Sequence, residues 1–190
     1  MNLVLGSRSQ GRKEVLRRMG CQFEAMAADI DEKAIRHPDP ERLTLLLAHA
    51  KADALIPRIR KESILVTSDQ VVVCDGAILE KPESKTEARR QLEGYARFPA
   101  VTVTAVVVTN TGTKRRSEGV DTAKVVFRSI PAFVIEELVR CGEILRNAGA
   151  FSIEDPLLTD YIARIEGEPE SVMGLPREMT RRLIHEVRDG

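Results

Sequence analysis

One carboxylate stands out because it interrupts an apolar strand pattern. Residues 63–76 are rich in valine, isoleucine and leucine at both ends, but Ser68, Asp69 and Gln70 lie in the middle. An unpaired carboxylate in apolar surroundings is costly unless it takes up a proton or finds a partner. Asp69 is therefore either paired with a cation such as Lys81, or it binds a metal or activates water beside bound phosphates.

The turn that follows this strand predicts a partner for Asp69. Asp75 and Gly76 fit the centre of a two-residue type I′ hairpin, with residues 77–81 returning along the first strand. Counting outward from the turn places Lys81 opposite Gln70, and hence beside Asp69.

A second group of polar residues follows the first strand of the chain. Ser7, Ser9 and Arg12 lie in "GSRSQGR", where a strand ends and a helix begins. Free backbone amides and the positive end of the helix dipole favour an anion such as phosphate there. Capping of the helix by Ser7 or Ser9 is the alternative explanation. The segment has neither the P-loop pattern nor the dinucleotide-binding glycine pattern.

Other candidates are ambiguous when each is considered alone. The acidic loop 29–32, "DIDE", supplies carboxylates for a divalent cation such as magnesium, or is a solvated loop. Lys51 lies among apolar residues of a helix, which is typical of a lysine whose ammonium reaches the surface. The three histidines are scattered and no nucleophile motif accompanies them, so a catalytic triad is not indicated.

Periodicity predicts the elements that must position these residues. Strands alternate with helices, and hairpins occur as well as crossovers, so we expect an α/β fold with a mixed, partly antiparallel twisted sheet flanked by helices. The predicted strands are 2–5, 63–74, 77–81, 100–110 and 120–130, and residues 21–32 are expected to form a further strand followed by the acidic loop. The predicted helices are 9–20, 39–60, 83–96, 131–142 and 176–187.

Composition limits the classes of function. The chain of 190 residues has 29 basic and 29 acidic side chains, so it has no broad cationic surface for nucleic acid or membrane. No stretch approaches the roughly 20 apolar residues of a membrane span. Cys21, Cys74 and Cys141 lack metal-ligand spacing and are interpreted as reduced core thiols of a cytoplasmic protein. We expect one domain over residues 1–190, long enough for two lobes with a cleft between them.

The ordered set of motifs resembles a known family. "LVLGSRSQGRKEVL", "DIDE", "AHAKADAL", "TSDQVVVCDGAILEKP", "NAGAF" and "IEGEPESVMGLP" follow one another over nearly the whole chain. In this order they are similar to the Maf-like nucleotide pyrophosphatases, relatives of the inosine triphosphate pyrophosphatases. The resemblance implies hydrolysis of a nucleoside triphosphate to the monophosphate and pyrophosphate, with Mg²⁺ or Mn²⁺, by a homodimer.

The resemblance also implies roles for single residues. Asp69 is expected to activate water and, with Glu32, to bind the metal. The residues expected to hold the substrate phosphates are Ser7, Arg12, Lys51 and Lys81.

Departures from the family pattern concern the base of the substrate. The family's usual Ser-x-Ser-Pro-Arg-Arg is changed at Gln10 and Gly11, while Gln70 and Glu154 resemble the branch associated with 7-methyl-GTP. A carboxylate at Glu154 can accept hydrogen bonds from N1 and the exocyclic amine of guanine. Gly11 offers no aromatic platform for a cationic base. We therefore assign Gly11, Gln70 and Glu154 to specificity.

Two other functions are compatible with the sequence. One alternative is a pyrimidine (dTTP/UTP) pyrophosphatase. The other is a catalytically weak nucleotide-binding regulator linked to cell division. A pure binder has no need of a water-activating acid such as Asp69, which favours the enzyme. Glu80 and Asn147 depart from the family pattern as well, in place of a glycine and a lysine.

Overall fold

A computed structural model describes residues 2–188. Its strands are β1 (Asn2–Leu5), β2 (Glu24–Ala25), β3 (Ser63–Cys74), β4 (Ala77–Leu79), β5 (Ala100–Asn110), β6 (Arg116–Phe127) and β7 (Ile162–Glu166). Its α-helices are α1 (Gln10–Arg18), α2 (Pro40–Leu55), α3 (Lys85–Gly94), α4 (Ala132–Cys141), α5 (Pro156–Thr159), α6 (Pro169–Val172) and α7 (Arg177–Arg188).

The strands form one mixed sheet in the order β2-β1-β3-β5-β6-β7, with β4 paired to β3. β1 runs parallel to both β2 and β3, and its register with β3 places Asn2 beside Ser63 and Leu5 beside Val66. β4 is antiparallel to β3, and β7 is antiparallel to β6. The prediction of an α/β fold with a mixed, partly antiparallel sheet is confirmed.

The hairpin of β3 and β4 has the predicted turn but a shorter return strand. Asp75 and Gly76 have φ angles of 50° and 72°, as a type I′ turn requires. The ladder ends where Val72 pairs with Leu79, so the predicted strand residues 80 and 81 lie beyond it. Pro82 follows them and restricts the residue before it. The carbonyl of Glu80 instead accepts a hydrogen bond from Gly149 N at 3.1 Å.

The first of two compact units comprises the chain up to Asp69, Thr104–Asp121 and the residues from Met173 onward. Its core has two clusters that use alternate residues of the central strands. One contains Leu5, Leu16, Ile64, Val66, Val106 and Leu183; the other contains Val4, Ala48, Leu65, Ala105 and Val107. The strands of this unit are therefore covered on both faces, which explains their nearly continuous apolar sequence.

The second unit comprises Gln70–Val103 and Thr122–Val172. An aromatic group lies in its core: the rings of Tyr95 and Phe127 stack at 5.2 Å, and Phe151 meets both edge-on. The Tyr95 hydroxyl donates to the carbonyl of Gly149 at 2.6 Å. Gly149 has φ +70°, and a Cβ there would lie 2.5 Å from that hydroxyl, so only glycine fits this close approach.

Local capping explains the helix boundaries. Ser9, Asp39 and Ser84 cap α1, α2 and α3 through their side-chain oxygens, and Pro40 occupies the first position of α2 as predicted. Gly142 ends α4 in the left-handed conformation. No helix within residues 2–188 is both long and apolar enough to cross a membrane.

Two expectations were wrong in detail, and three short elements were missed. The strand expected at the start of residues 21–32 is only two residues long, and β7, α5 and α6 were not predicted. All three cysteines are free thiols, but Cys74 alone is buried, since Cys21 is half-buried and Cys141 is exposed. Cys141 is the last residue of α4, and the buried positions of that helix are Val134, Ile135, Leu138 and Val139.

Candidate active site

Asp69 forms an ion pair with a lysine that comes from α2. Lys51 lies on the face of α2 that also buries Ala48, Ala52 and Leu55, and its ammonium contacts the Asp69 carboxylate. Their side chains are 9% and 10% exposed. The interpretation of Lys51 as a surface lysine was therefore wrong, and the charge of Asp69 inside the strand is compensated by a buried cation.

Glu32 shares the same ammonium. Its carboxylate lies 3.1 Å from Lys51 Nζ, at the start of the short 3₁₀ segment Glu32–Ala34. The side chain of Asp31 caps this segment by accepting from the amide of Lys33. The "DIDE" loop thus turns back toward β3, and two carboxylates lie around one lysine.

Arg12 lies in the first turn of α1 and adds a second cation to this group. Its Nη1 donates to Ser7 Oγ at 3.3 Å, and its backbone amide donates to Ser9 Oγ at 3.4 Å. Burial lowers the pKa of the Arg12 guanidinium, while the charges of Asp69 and Glu32 act in the opposite direction. Ser9 is the helix cap, and Ser7 is the serine that contacts the arginine.

The backbone of Met173 passes so close to Gly11 that a side chain there has no space. A Cβ at this position would lie 2.9 Å from the carbonyl oxygen of Met173. Any larger residue therefore requires the backbone at Met173 to shift. This close contact within the first unit explains why the chain has neither an arginine nor an aromatic residue at position 11.

Three predicted site residues belong to the second unit. The side-chain amide of Gln70 donates to the carbonyls of Ser171 and Val172 at 2.8 and 3.3 Å, so its nitrogen contacts backbone in this structure. Lys81 and Glu154 are exposed. The backbone amide of Glu154 donates to Ser152 Oγ at 3.3 Å.

The first unit alone assembles two cations, two carboxylates and a serine hydroxyl. The residues brought together are Ser7, Arg12, Glu32, Lys51 and Asp69. The sequence did not indicate that Ser68 and Gly174 belong to this group, although the Gly174 carbonyl accepts hydrogen bonds from both Ser68 and Arg12. The polar residues of "SDQ" and the glycine of "VMGLP" are visible in the sequence, but nothing in either stretch indicates that Ser68 contacts Gly174.

The donor set can be compared with what a magnesium ion requires. In the described part of the chain, no group of three or more His, Cys, Asp or Glu side chains is arranged to hold a metal. Magnesium, however, is commonly bound by one or two carboxylates together with substrate phosphates and water. Asp69 and Glu32, held by the common partner Lys51, fit that mode of binding.

Comparison with known proteins identifies the family. The family model described as "Maf-like protein" matches residues 2–187. The chain belongs to the Maf-like family. A 7-methyl-GTP pyrophosphatase of Dictyostelium discoideum is 44% identical over 97% of this chain and 96% of its own length. The family assignment made from the motifs is thereby confirmed.

More distant relatives carry different substrate names. A dTTP/UTP pyrophosphatase of Vibrio vulnificus is 35% identical over 97% of each chain. A 7-methyl-GTP pyrophosphatase of Idiomarina loihiensis is also 35% identical, over 92% of this Maf-like chain and 88% of its own. A solved nucleoside-triphosphatase, or dITP/XTP pyrophosphatase, of Mycobacterium abscessus has a TM-score of 0.43 at 14% identity, covering 70% of this chain and 77% of that one.

Proposed function

We propose that this Maf-like protein hydrolyses a nucleoside triphosphate between its α and β phosphates, releasing the monophosphate and pyrophosphate, and that 7-methyl-GTP is its substrate. The observation that carries the proposal is the buried contact of Lys51 with Asp69, beside Glu32 and Arg12. Carboxylates for water and metal and cations for phosphate are the groups that phosphoanhydride hydrolysis needs. The relatives described above are named as pyrophosphatases of nucleoside triphosphates, which is the same class of reaction.

In the proposed reaction Asp69 is the general base. A water oxygen forms a bond to the α-phosphorus while Asp69 accepts the water proton. The bond from that phosphorus to the bridging oxygen breaks, and pyrophosphate leaves with the electron pair. Arg12 and Lys51 stabilise the charge that accumulates on the leaving group, and Ser7 donates a hydrogen bond to a phosphate oxygen.

Glu32 and Asp69 would hold a divalent metal, Mg²⁺ or Mn²⁺, together with the phosphates. A metal bound there lowers the pKa of coordinated water and offsets phosphate charge. We propose this metal from the donor set and the family, and dialysis against a chelator followed by readdition of each metal tests it. Restored hydrolysis supports the assignment, whereas full activity after chelation contradicts it.

In the second unit, Lys81 is proposed to bind a phosphate, and Gln70 and Glu154 to select the base. The exposed carboxylate of Glu154 can accept from the N1 and amino hydrogens of guanine, which uracil and thymine do not present in that arrangement. The relative that is 44% identical carries the 7-methyl-GTP name. Because dTTP/UTP enzymes also reach 35% identity, a pyrimidine substrate is the second candidate.

We further propose a cytoplasmic homodimer that forms no stable complex with nucleic acid. Free cysteines and a net charge of zero support the location and the absence of nucleic-acid binding. Light scattering after gel filtration tests the dimer. A mass of one chain at micromolar concentration contradicts it.

A nucleotide panel with matched variants tests the activity. Wild type, Asp69→Asn and Asp75→Asn are assayed with 7-methyl-GTP, GTP, UTP and dTTP in the presence of Mg²⁺, following pyrophosphate release. Asp75 is the control because it is a turn residue whose left-handed conformation asparagine also adopts. We expect Asp69→Asn to lose about 10²- to 10⁴-fold in kcat and Asp75→Asn to retain activity. Wild-type rates no higher than those of Asp69→Asn on every nucleotide contradict the proposal.

A further inference from the structure

One backbone carbonyl accepts hydrogen bonds from two side chains beside the proposed catalytic base. Arg12 Nε donates to the carbonyl oxygen of Gly174 at 2.9 Å. Ser68 Oγ donates to the same oxygen, also at 2.9 Å. Ser68 is fully buried and immediately precedes Asp69 on β3. The carbonyl of Gly174 therefore connects β3 to the arginine of α1.

The segment that carries this carbonyl is confined on both sides, and the hydrogen bond from Ser68 sets the direction of the carbonyl within it. Gly174 has φ +91°, a conformation that favours glycine, and the next residue, Leu175, is fully buried in the core of the first unit. On the other side, the Met173 carbonyl lies so close to Gly11 that a Cβ there would be 2.9 Å away. Because this segment has little freedom to move, the orientation of the Arg12 side chain depends on the Gly174 carbonyl and not the reverse.

Two contacts define the plane of the Arg12 guanidinium. Nε is held by Gly174 and Nη1 by Ser7 at 3.3 Å. Because a guanidinium is planar, fixing two of its nitrogens orients all five of its N–H donors. Positioning of this kind matters because phosphate binding and leaving-group stabilisation depend on donor direction.

We infer that Ser68 is a positioning residue of the active site: its hydroxyl holds the Gly174 carbonyl, which orients Arg12 toward the substrate phosphates. The inference rests on the proposed function. It assigns to Ser68 an effect that passes through Arg12 and not through Asp69, its neighbour in sequence. A serine that only satisfies a buried carbonyl would affect stability alone.

A double-mutant cycle separates these roles. Steady-state kinetics with the best nucleotide are measured for wild type, Ser68→Ala, Arg12→Ala and the double variant. We expect Ser68→Ala to raise KM by about 5- to 10-fold, with kcat within about 3-fold. In the Arg12→Ala background the same change should alter kcat/KM by less than about 2-fold. An equal loss in both backgrounds overturns the inference.

Ser63 provides a matched control. It is a buried serine on the same strand, and its hydroxyl donates to the carbonyl of Lys61 at 2.8 Å. Ser63→Ala should lower the free energy of unfolding in urea as Ser68→Ala does, while leaving KM unchanged. Ser68→Thr, which keeps the hydroxyl, should recover KM. A KM rise of the same size in Ser63→Ala overturns the inference.

A binding measurement distinguishes failure of this inference from failure of the proposed function. Inorganic tripolyphosphate is titrated calorimetrically into wild type, Ser68→Ala and Ser63→Ala. If wild type cleaves no nucleotide, the proposed function fails, but a 5- to 10-fold weaker tripolyphosphate affinity in Ser68→Ala alone, about that expected for one hydrogen bond, still supports the positioning role. No binding by wild type, or equal weakening in both variants, overturns it.

Discussion

The ammonium of Lys51 and the carboxylate of Asp69 form an ion pair in which each side chain is about one-tenth exposed. The pair explains how a carboxylate is tolerated inside β3. It also gives the proposed general base a cationic neighbour that can bind phosphate. Glu32, 3.1 Å from the same ammonium, makes the lysine the common partner of two carboxylates.

The ion pair predicts a strong dependence of stability on Lys51. Lys51→Met leaves the Asp69 carboxylate without its buried partner, and removing one member of such a pair costs roughly 3–5 kcal/mol of unfolding free energy. The double variant Lys51→Met/Asp69→Asn should recover part of that loss, because the uncompensated charge is gone. Urea unfolding of the single and double variants measures both quantities. A double variant that loses the sum of the single losses contradicts this coupling.

Glu154→Gln should change selectivity without changing phosphate handling. The amide presents a donor where the carboxylate accepts, so guanine-type bases lose a charge-assisted hydrogen bond. We expect the ratio of kcat/KM for 7-methyl-GTP to that for UTP to fall by about tenfold or more. Glu143→Gln, at an exposed pair with Arg146, is the control for surface charge in the same unit. Equal loss on every nucleotide would place Glu154 in catalysis or folding.

Tyr95→Phe should destabilise the protein and change its response to alkaline pH. The substitution removes the hydrogen bond that the Tyr95 hydroxyl donates to the buried Gly149 carbonyl, which should lower the free energy of unfolding by about 1–2 kcal/mol. Burial raises the pKa of Tyr95. Urea unfolding at pH 7, with Tyr161→Phe as the control, measures the first effect.

The sign of the alkaline effect follows from the raised pKa. In the unfolded chain tyrosine ionises near pH 10, whereas in the folded protein Tyr95 stays neutral there. Its contribution to stability is therefore complete below about pH 10 and is lost as pH rises further, by up to about 1.4 kcal/mol per pH unit. Tyr95→Phe should lose stability less steeply than wild type or Tyr161→Phe between pH 10 and about 11.5. Parallel curves contradict this assignment.

The three thiols should react with a cysteine reagent in order of exposure. Cys141 is exposed, Cys21 is half-buried and Cys74 is buried. Burial also raises the pKa of the Cys74 thiol, with the charge of Asp75 acting in the same direction, so less reactive thiolate is present at neutral pH. Mass spectrometry after timed labelling of the native protein should find Cys141 modified first and Cys74 last. Early labelling of Cys74 contradicts the buried position.

Much of the architecture was predictable because it depends on neighbouring residues. Helix caps at Ser9 and Asp39, and the turn at Asp75 and Gly76, follow from side-chain oxygens and backbone freedom within a few positions. β7 was missed because Ile162–Glu166 has only two half-buried isoleucines and no alternating pattern. The segment is a strand because its backbone pairs with β6, and its own residue types do not indicate this.

The family, the mixed α/β class, five of the seven α-helices within residues 2–188 and the presence of a carboxylate that needs a partner could all be predicted from residue types and their order. Tertiary structure decided which partner it has. Counting residue pairs outward from the hairpin turn predicted Lys81 as the partner of Asp69, but the β3–β4 ladder ends at Leu79. Instead, α2 brings Lys51 to Asp69 from 18 positions away. The tertiary structure also brought Ser68 and Arg12 to one carbonyl across 106 and 162 positions. Such contacts depend on how distant elements pack, and no local pattern of residue types encodes them.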